Sequence, residues 1–398
     1  MIRLTRILLR GRGACTRLLP LLLVLIVIGG FGVIHTVKAA VTEVCPGKGI
    51  QPRADTFSPG GIILTSFDAT NLWVYDIDGK TRYPLPDTRP CPGNCHLSPD
   101  GTWLTIMDPL TFNFMKMRVD GTERTPLMGA AAEVAWWDST TYLVWTADHH
   151  AYLTTENAAP DSREYLDARA AVSVQPGGRW AVVLQAQPDG SIVRVMLDMT
   201  QRTNADVLPT RLAVDVPYFN AQAWSPDGHW LAYVGRGAFN DKAQTAGGEL
   251  FLIAPGSPVP EQESYFSLDY GAARIGGYAA DRLSWSPDST KIAFWVIGLT
   301  GPDPAANTGN AVLHMFDRST HTIVRYCTFS TTQHTPNPPE LIWSPDSTTI
   351  AFAGDVPQDG KGSLILAVDA ATGLTTELSD GIYPAVGTAE LVAWGRRP

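Results

Sequence analysis

Four copies of one short turn constrain this chain more than anything else in it. They read Leu97-Ser98-Pro99-Asp100-Gly101, Trp224-Ser225-Pro226-Asp227-Gly228, Trp285-Ser286-Pro287-Asp288-Ser289 and Trp343-Ser344-Pro345-Asp346-Ser347. Each spells a type I turn: a side-chain acceptor first, proline presetting φ second, a tolerant aspartate third, glycine or serine fourth. Apolar runs such as Leu231-Ala232-Tyr233-Val234 follow, which makes each turn the tip of a hairpin. Three looser versions fill the gaps: Ser58-Pro59-Gly60-Gly61, Trp136-Trp137-Asp138-Ser139-Thr140 and Gln175-Pro176-Gly177-Gly178. Recurrence on this scale marks a propeller or a solenoid. Seven turns predict an all-β fold, a seven-bladed β-propeller of four-stranded blades. With 36 glycines, 30 prolines and only 17% charged residues, the composition suits many short strands and argues against long helices.

A propeller must close. The chain ends on Glu390-Leu391-Val392-Ala393-Trp394, the first strand and tryptophan of an eighth unit with nothing after it. We read Ala389–Trp394 as the inner strand of blade one, with the segment before Ser58 as the competing candidate, because open sheet edges invite mispairing. The expected organisation is therefore a signal peptide or anchor over 1–40, a linker over 41–52 and the propeller over 53–398.

The turns sit at 58, 98, 137, 175, 225, 286 and 344, so the late blades are longer than the early ones. The extra residues fall at Gly235–Glu249, Gly298–Ala311 and Asp355–Gly362 between second and third strands, and at Tyr270–Arg282 and Cys327–Glu340 between blades. In an up-and-down blade both kinds of connection emerge on the face opposite the Ser-Pro-Asp turns. Long loops on a rigid scaffold are where function usually sits. The candidate contact residues are accordingly Phe239, Asp241, Lys242, Arg274, Tyr278, Asp303, Asn307, His334 and Asp355.

Leu18 to Ile34 is almost wholly apolar and follows five arginines. It reads either as a secretory signal ending at Val37-Lys38-Ala39-Ala40 or as a membrane anchor; both put the propeller outside the cytoplasm. In an oxidising compartment Cys45, Cys91, Cys95 and Cys327 form an even set with three possible pairings. Cys91-Pro92-Gly93-Asn94-Cys95 contains its own turn, which favours a local bridge and leaves Cys45 for Cys327; free buried thiols are the alternative. The formal charge is −9, and the first 40 residues hold six cations (Arg3, Arg6, Arg10, Arg12, Arg17, Lys38) and no carboxylate, leaving −15 on the rest. So acidic a body disfavours nucleic acid and anionic lipid as partners.

Enzyme signatures are missing: there is no Gly-x-Ser-x-Gly elbow, no His-Glu-x-x-His and no phosphate loop. Asp76-Ile77-Asp78-Gly79 opens like a calcium loop but lacks the ligand ladder, so it reads as a blade turn. Asp148-His149-His150 could contribute to a metal site only with partners from other blades. No cofactor is expected.

The Trp-Ser-Pro-Asp-Gly repeats resemble the TolB-like β-propeller repeat, in which this turn joins the two inner strands of a blade. The resemblance covers roughly Gln51 to Pro398 and is strongest in blades two, five, six and seven. It implies an interaction module at the cell envelope, binding an envelope protein or surface ligand, with the membrane engaged only through the N-terminal segment. Some peptidases pair such a propeller with a C-terminal hydrolase domain; with Trp394 four residues from Pro398, no such domain is expected here. Certain pectin-fragment lyases also resemble this fold and bind metal through histidine. A carbohydrate-active lyase or hydrolase is therefore the alternative, with His149 or His150 and His334 meeting a carboxylate at the channel mouth.

Overall fold

A computed structural model describes residues 38–398 apart from 55–56, 67–70, 89–94, 130, 148–149, 160–161, 167–170, 200–209, 215–220, 236–247, 272, 276–282, 299–310, 332–337, 356–362 and 380–389. The strands gather into seven antiparallel sheets of four strands in chain order, two of which gain an extra edge strand. Blade two is typical, running His96–Leu97, Trp103–Met107, Phe114–Arg118 and Thr125–Met128. Blade one takes its innermost strand, Glu390–Gly395, from the far end of the chain and continues through Ile62–Ser66, Leu72–Asp76 and Thr81–Leu85.

Side-chain alternation turns these sheets into a ring. Successive residues of a strand point to opposite faces. In blade one Ile62 and Leu64 pack against Leu104 and Ile106 of blade two, while Ile63 packs against Ala351 and Ile365 of blade seven. In blade six Ile292, Phe294 and Val296 face blade five, and Ala293, Trp295 and Ile297 face blade seven. Among the described residues there are seven such clusters, each joining two consecutive blades, and the cluster between seven and one completes the circle. The propeller expected from the turns is the fold observed.

The Ser-Pro-Asp turns behave as their residues dictate. In blade five Gly228 N–H donates to Ser225 O at 2.8 Å, closing the type I turn. Ser225 Oγ donates to Asp227 at 2.5 Å and accepts Trp230 N–H at 3.0 Å. The fourth position takes a positive φ, 75° at Gly101 and 70° at Gly228, and also 60° at Ser289 and 63° at Ser347. The two serines accept backbone N–H groups from the preceding blade: Ser289 Oγ from Asp227 at 3.1 Å and Ser347 Oγ from Asp288 at 3.0 Å. The tryptophans also reach back one blade. Trp285 Nε1 donates to Ala223 O at 3.0 Å, Trp343 to Ser284 O at 2.9 Å and Trp136 to His96 O at 3.0 Å.

Closure follows the reading from the C-terminus. Ile62 pairs with Gly395, Ile63 with Trp394 and Leu64 with Ala393. At the joint Gly61 has φ 107°, and a Cβ there would lie 2.5 Å from Gly395 O, so no other residue fits. Arg396 N–H then donates to Gly101 O at 2.7 Å, tying the closing strand to the turn of blade two.

The stretch 41–52, read as a linker, does more than link. Ala40–Val44 runs parallel to the outer strand of blade six, Thr322–Thr331, and Gln51–Pro52 runs parallel to the outer strand of blade seven, Thr375–Glu377. Parallel pairing with distant strands has no local signature, which is why the sequence reading missed it. The two segments cover outer edges that would otherwise offer unpaired backbone groups. Cys45 is disulfide-bonded to Cys327, 282 residues away, as the elimination argument expected. Cys95 is also disulfide-bonded; Cys91, its expected partner, lies outside the described residues. Blade six also differs from expectation at its ends. Its outer strand extends through Thr331, and its inner position is shared by Ala273–Ile275 and Ser284–Trp285.

A crosslink spanning so many residues acts mainly on the unfolded chain, where the loop-entropy model assigns about 5 kcal/mol as an upper figure. Replacing Cys45 and Cys327 together by serine should lower the urea midpoint under oxidising conditions, and the difference from wild type should vanish under reducing conditions. Equal midpoints for oxidised wild type and variant would show that the bridge contributes nothing.

Candidate functional site

Of the residues expected on the long-loop face, Phe239, Asp241, Lys242, Tyr278, Asp303, Asn307 and His334 lie outside the described residues, as does His149. Arg274 is placed by its backbone on Ala273–Ile275, opposite Ile297, and Asp355 ends the strand Thr349–Asp355, opposite Ser363. His150, an exposed residue, follows the turn that leads into Ala151–Thr155.

What the structure does describe is how the connection between blades five and six is anchored. A one-turn helix, Phe266–Asp269, begins that connection. The buried Glu249 carboxylate holds its start, accepting Ser264 Oγ at 2.7 Å, Phe266 N–H at 2.7 Å and Ser267 N–H at 3.0 Å. Asp269 pairs with Lys38 at 2.5 Å. Just beyond, Tyr270 Oη lies 2.9 Å from His314 Nε2, and His314 Nδ1 lies 2.9 Å from Val312 O. A carbonyl can only accept, so Nδ1 carries the proton and Nε2 accepts from the tyrosine. His314 stacks on Phe294 and meets Phe266 edge-on. Burial pushes its pKa down to about 4, which leaves the ring neutral. Arg325 lies over the Tyr270 ring and pairs with Glu43 of the N-terminal edge strand. In blade four the buried Arg194 donates to Val234 O at 2.6 Å, fixing the strand end from which the 236–248 connection leaves.

The opposite face holds the channel mouth. Pro99, Pro226, Pro287 and Pro345, one from each full copy of the turn, line a cavity of about 220 Å³ together with Asp100, Trp285, Trp394 and Arg396. Residues from five blades can meet in this way only at the axis of the ring. A second cavity of about 370 Å³ adjoins it, lined by Asp78, Asp346, Arg396 and Arg397. The turn prolines were legible only as turn formers, and Arg396 carried no signal beyond its place two residues after the closing tryptophan.

The carboxylates here are committed to their own turns. Burial favours protonation of Asp288, but the Ser286 hydroxyl and Thr290 outweigh it and hold the carboxyl below the usual range. The same opposition, desolvation against serine and backbone hydrogen bonds, holds Asp100, Asp227 and Asp346 low. The mouth therefore offers a guanidinium among prolyl rings and fixed anions. That set suits recognition of a polar group.

No family model matches the chain, and no curated protein does. Solved structures similar to it include TolB from Acinetobacter baumannii, at 13% identity and a TM-score of 0.41 over 84% of this chain and 82% of that one. An oligogalacturonate lyase in complex with manganese is similar at 10% identity and 0.46, over 80% and 85%. A puromycin hydrolase is similar at 12% and 0.45, over 86% and 57%. Likenesses this distant assign no role to any residue; the propeller rests on its own seven sheets and their closure.

The His314 pKa lies below the ordinary 6.5, so on acidification the unfolded chain takes up this proton first. The stability tied to the neutral ring is complete above about pH 6.5 and is lost as pH falls towards 4, by up to about 3 kcal/mol. Urea midpoints measured across that range should fall more steeply for wild type than for His314→Gln. Parallel curves would mean that the ring is not buried neutral.

Proposed function

We propose that this chain is an exported binding module, held at or released from the cell envelope through its N-terminal apolar segment. It recognises an envelope protein or surface ligand through the long connections of blades five to seven. The observation that carries this reading is where extra chain has been placed. The connections between second and third strands are 67–71, 108–113, 147–150 and 187–191 in blades one to four, but 236–248, 299–310 and 356–362 in blades five to seven. Blades six and seven are also the ones braced from outside by the N-terminal edge strands and the Cys45–Cys327 bridge. Rigid support under long loops lowers the ordering cost of recognition. The disulfides support a compartment where thiols oxidise. The apolar stretch 18–34 lies outside the described residues, among which no helix is long and apolar enough to cross a membrane.

The test is crosslinking in cells of the full-length protein followed by pull-down. Wild type should enrich a specific envelope protein, and a variant with Asp241, Lys242, Arg274 and Asp303 all changed to alanine should lose it while keeping the wild-type melting curve. Equal enrichment by both would move the interface off this face.

A further inference from the structure

We propose that the cleft between blades two and three is a binding site for a neutral saccharide. The cleft encloses about 360 Å³ on the turn side of the ring. Volumes of this order are typical of small-ligand sites. It opens where the repeat breaks down. Blade three has Asp138-Ser139-Thr140 in place of Pro-Asp-Gly, and the hydroxyl-bearing Ser139 and Thr140 line the cleft. Asp138 keeps the altered turn in shape by accepting Thr140 and Thr141 N–H, both at 2.7 Å.

The chemistry of the walls selects the ligand. Two indoles, Trp103 and Trp136, face the space, with Asp100, Glu156 and Lys116 around them. A cation is disfavoured: Lys116 Nζ already lies 4.4 Å and the Arg118 guanidinium 3.9 Å from the Trp103 ring centroid, so that indole face is taken. An anion is disfavoured as well. Two carboxylates border the cleft, and Lys116 is spent on Glu156 at 2.6 Å. What remains is a neutral molecule with an apolar face for the Trp136 indole and a hydroxyl donor for the Glu156 carboxylate, since Asp100 is engaged within its own turn. A pyranose ring has both.

The platform is set in advance. Trp136 is fixed by its bond to His96 O and by Tyr142, whose ring centroid is 4.7 Å away. Burial, and then the charge of Glu156, push the Tyr142 hydroxyl up to about 12, so it remains a donor across the physiological range. A wall that does not rearrange on binding loses less entropy to the ligand.

Saturation-transfer NMR with the full-length protein tests this, using methyl glucoside, methyl galactoside, N-acetylglucosamine, maltose and cellobiose. Choline and galacturonate serve as charged comparisons. At least one neutral sugar should bind saturably, and Ser139→Trp, which fills the cleft from an exposed turn, should weaken it at least about tenfold. Glu156→Gln, on an exposed side chain, should weaken the same sugar and gives an independent reading if the tryptophan variant folds poorly. Binding of none of the neutral sugars, binding untouched by both substitutions, or binding of the charged probes alone would each overturn the proposal.

Discussion

Everything in this molecule depends on the pairing of Ile62–Ser66 with Glu390–Gly395. A four-stranded blade buries both of its faces only if it has neighbours on both sides, and a linear stack of such blades always leaves two faces wet. Borrowing the innermost strand of blade one from the end of the chain removes both ends at once. Ile63, Leu391 and Trp394 then complete the cluster with blade seven, while Ile62, Leu64 and Ala393 complete the one with blade two. The joint is tight enough to need glycine at 61. It also passes directly into the Arg396–Gly101 bond, so the ring is locked by the same few residues that line the channel mouth.

The repeated turn has two tasks, and only one belongs to the turn itself. Within a blade, Ser, Asp and the fourth residue satisfy one another and the next strand. Between blades, Trp285 and Trp343 reach back to carbonyls of the preceding inner strand, and Ser289 and Ser347 accept N–H groups from the preceding turn. Where glycine holds the fourth position another device takes over: Gln175 Nε2 donates to Gly228 O at 2.8 Å. Serine at a positive φ is conformationally unfavourable for an L-residue, and its hydroxyl compensates with an inter-blade bond that glycine cannot make.

How much of this was legible follows from which interactions are local. Turn residues and period-two apolar runs act over a few positions, so blade number and most strand positions could be read directly, whereas closure by Glu390–Gly395 was one of two candidates until its pairing with Ile62–Ser66 was seen. The Cys45–Cys327 pairing followed from elimination once Cys91 and Cys95 were seen to enclose a turn. The parallel strands Ala40–Val44 and Gln51–Pro52 could not be read, since a short run such as Ala40-Val41-Thr42-Glu43-Val44 says nothing about which distant edge it will meet. Nor could the buried set around His314. Its tyrosine lies 44 residues earlier, and neither residue sits in a pattern that sets it apart. The loop residues chosen for contact rest on the length of the insertions alone, and Arg274 and Asp355 are placed only by their backbones.

Many groups on the turn face are engaged in holding a blade or joining two. Blade three, one of three that depart from the full motif, departs furthest. Its Trp136 still reaches back to His96 O, so the ring is not broken, but Ser139 and Thr140 have replaced the residues that elsewhere close the turn against its neighbour. The long-loop face departs in another way: lengthening an existing loop adds closure entropy only slowly, and the strands beneath it stay paired. The two faces therefore differ in how they depart from the repeat. One adds chain above blades that the N-terminal strap has reinforced. The other leaves the chain length unchanged and alters the chemistry of a single turn, and that is why its cleft is bordered by strand residues whose positions the fold already fixes.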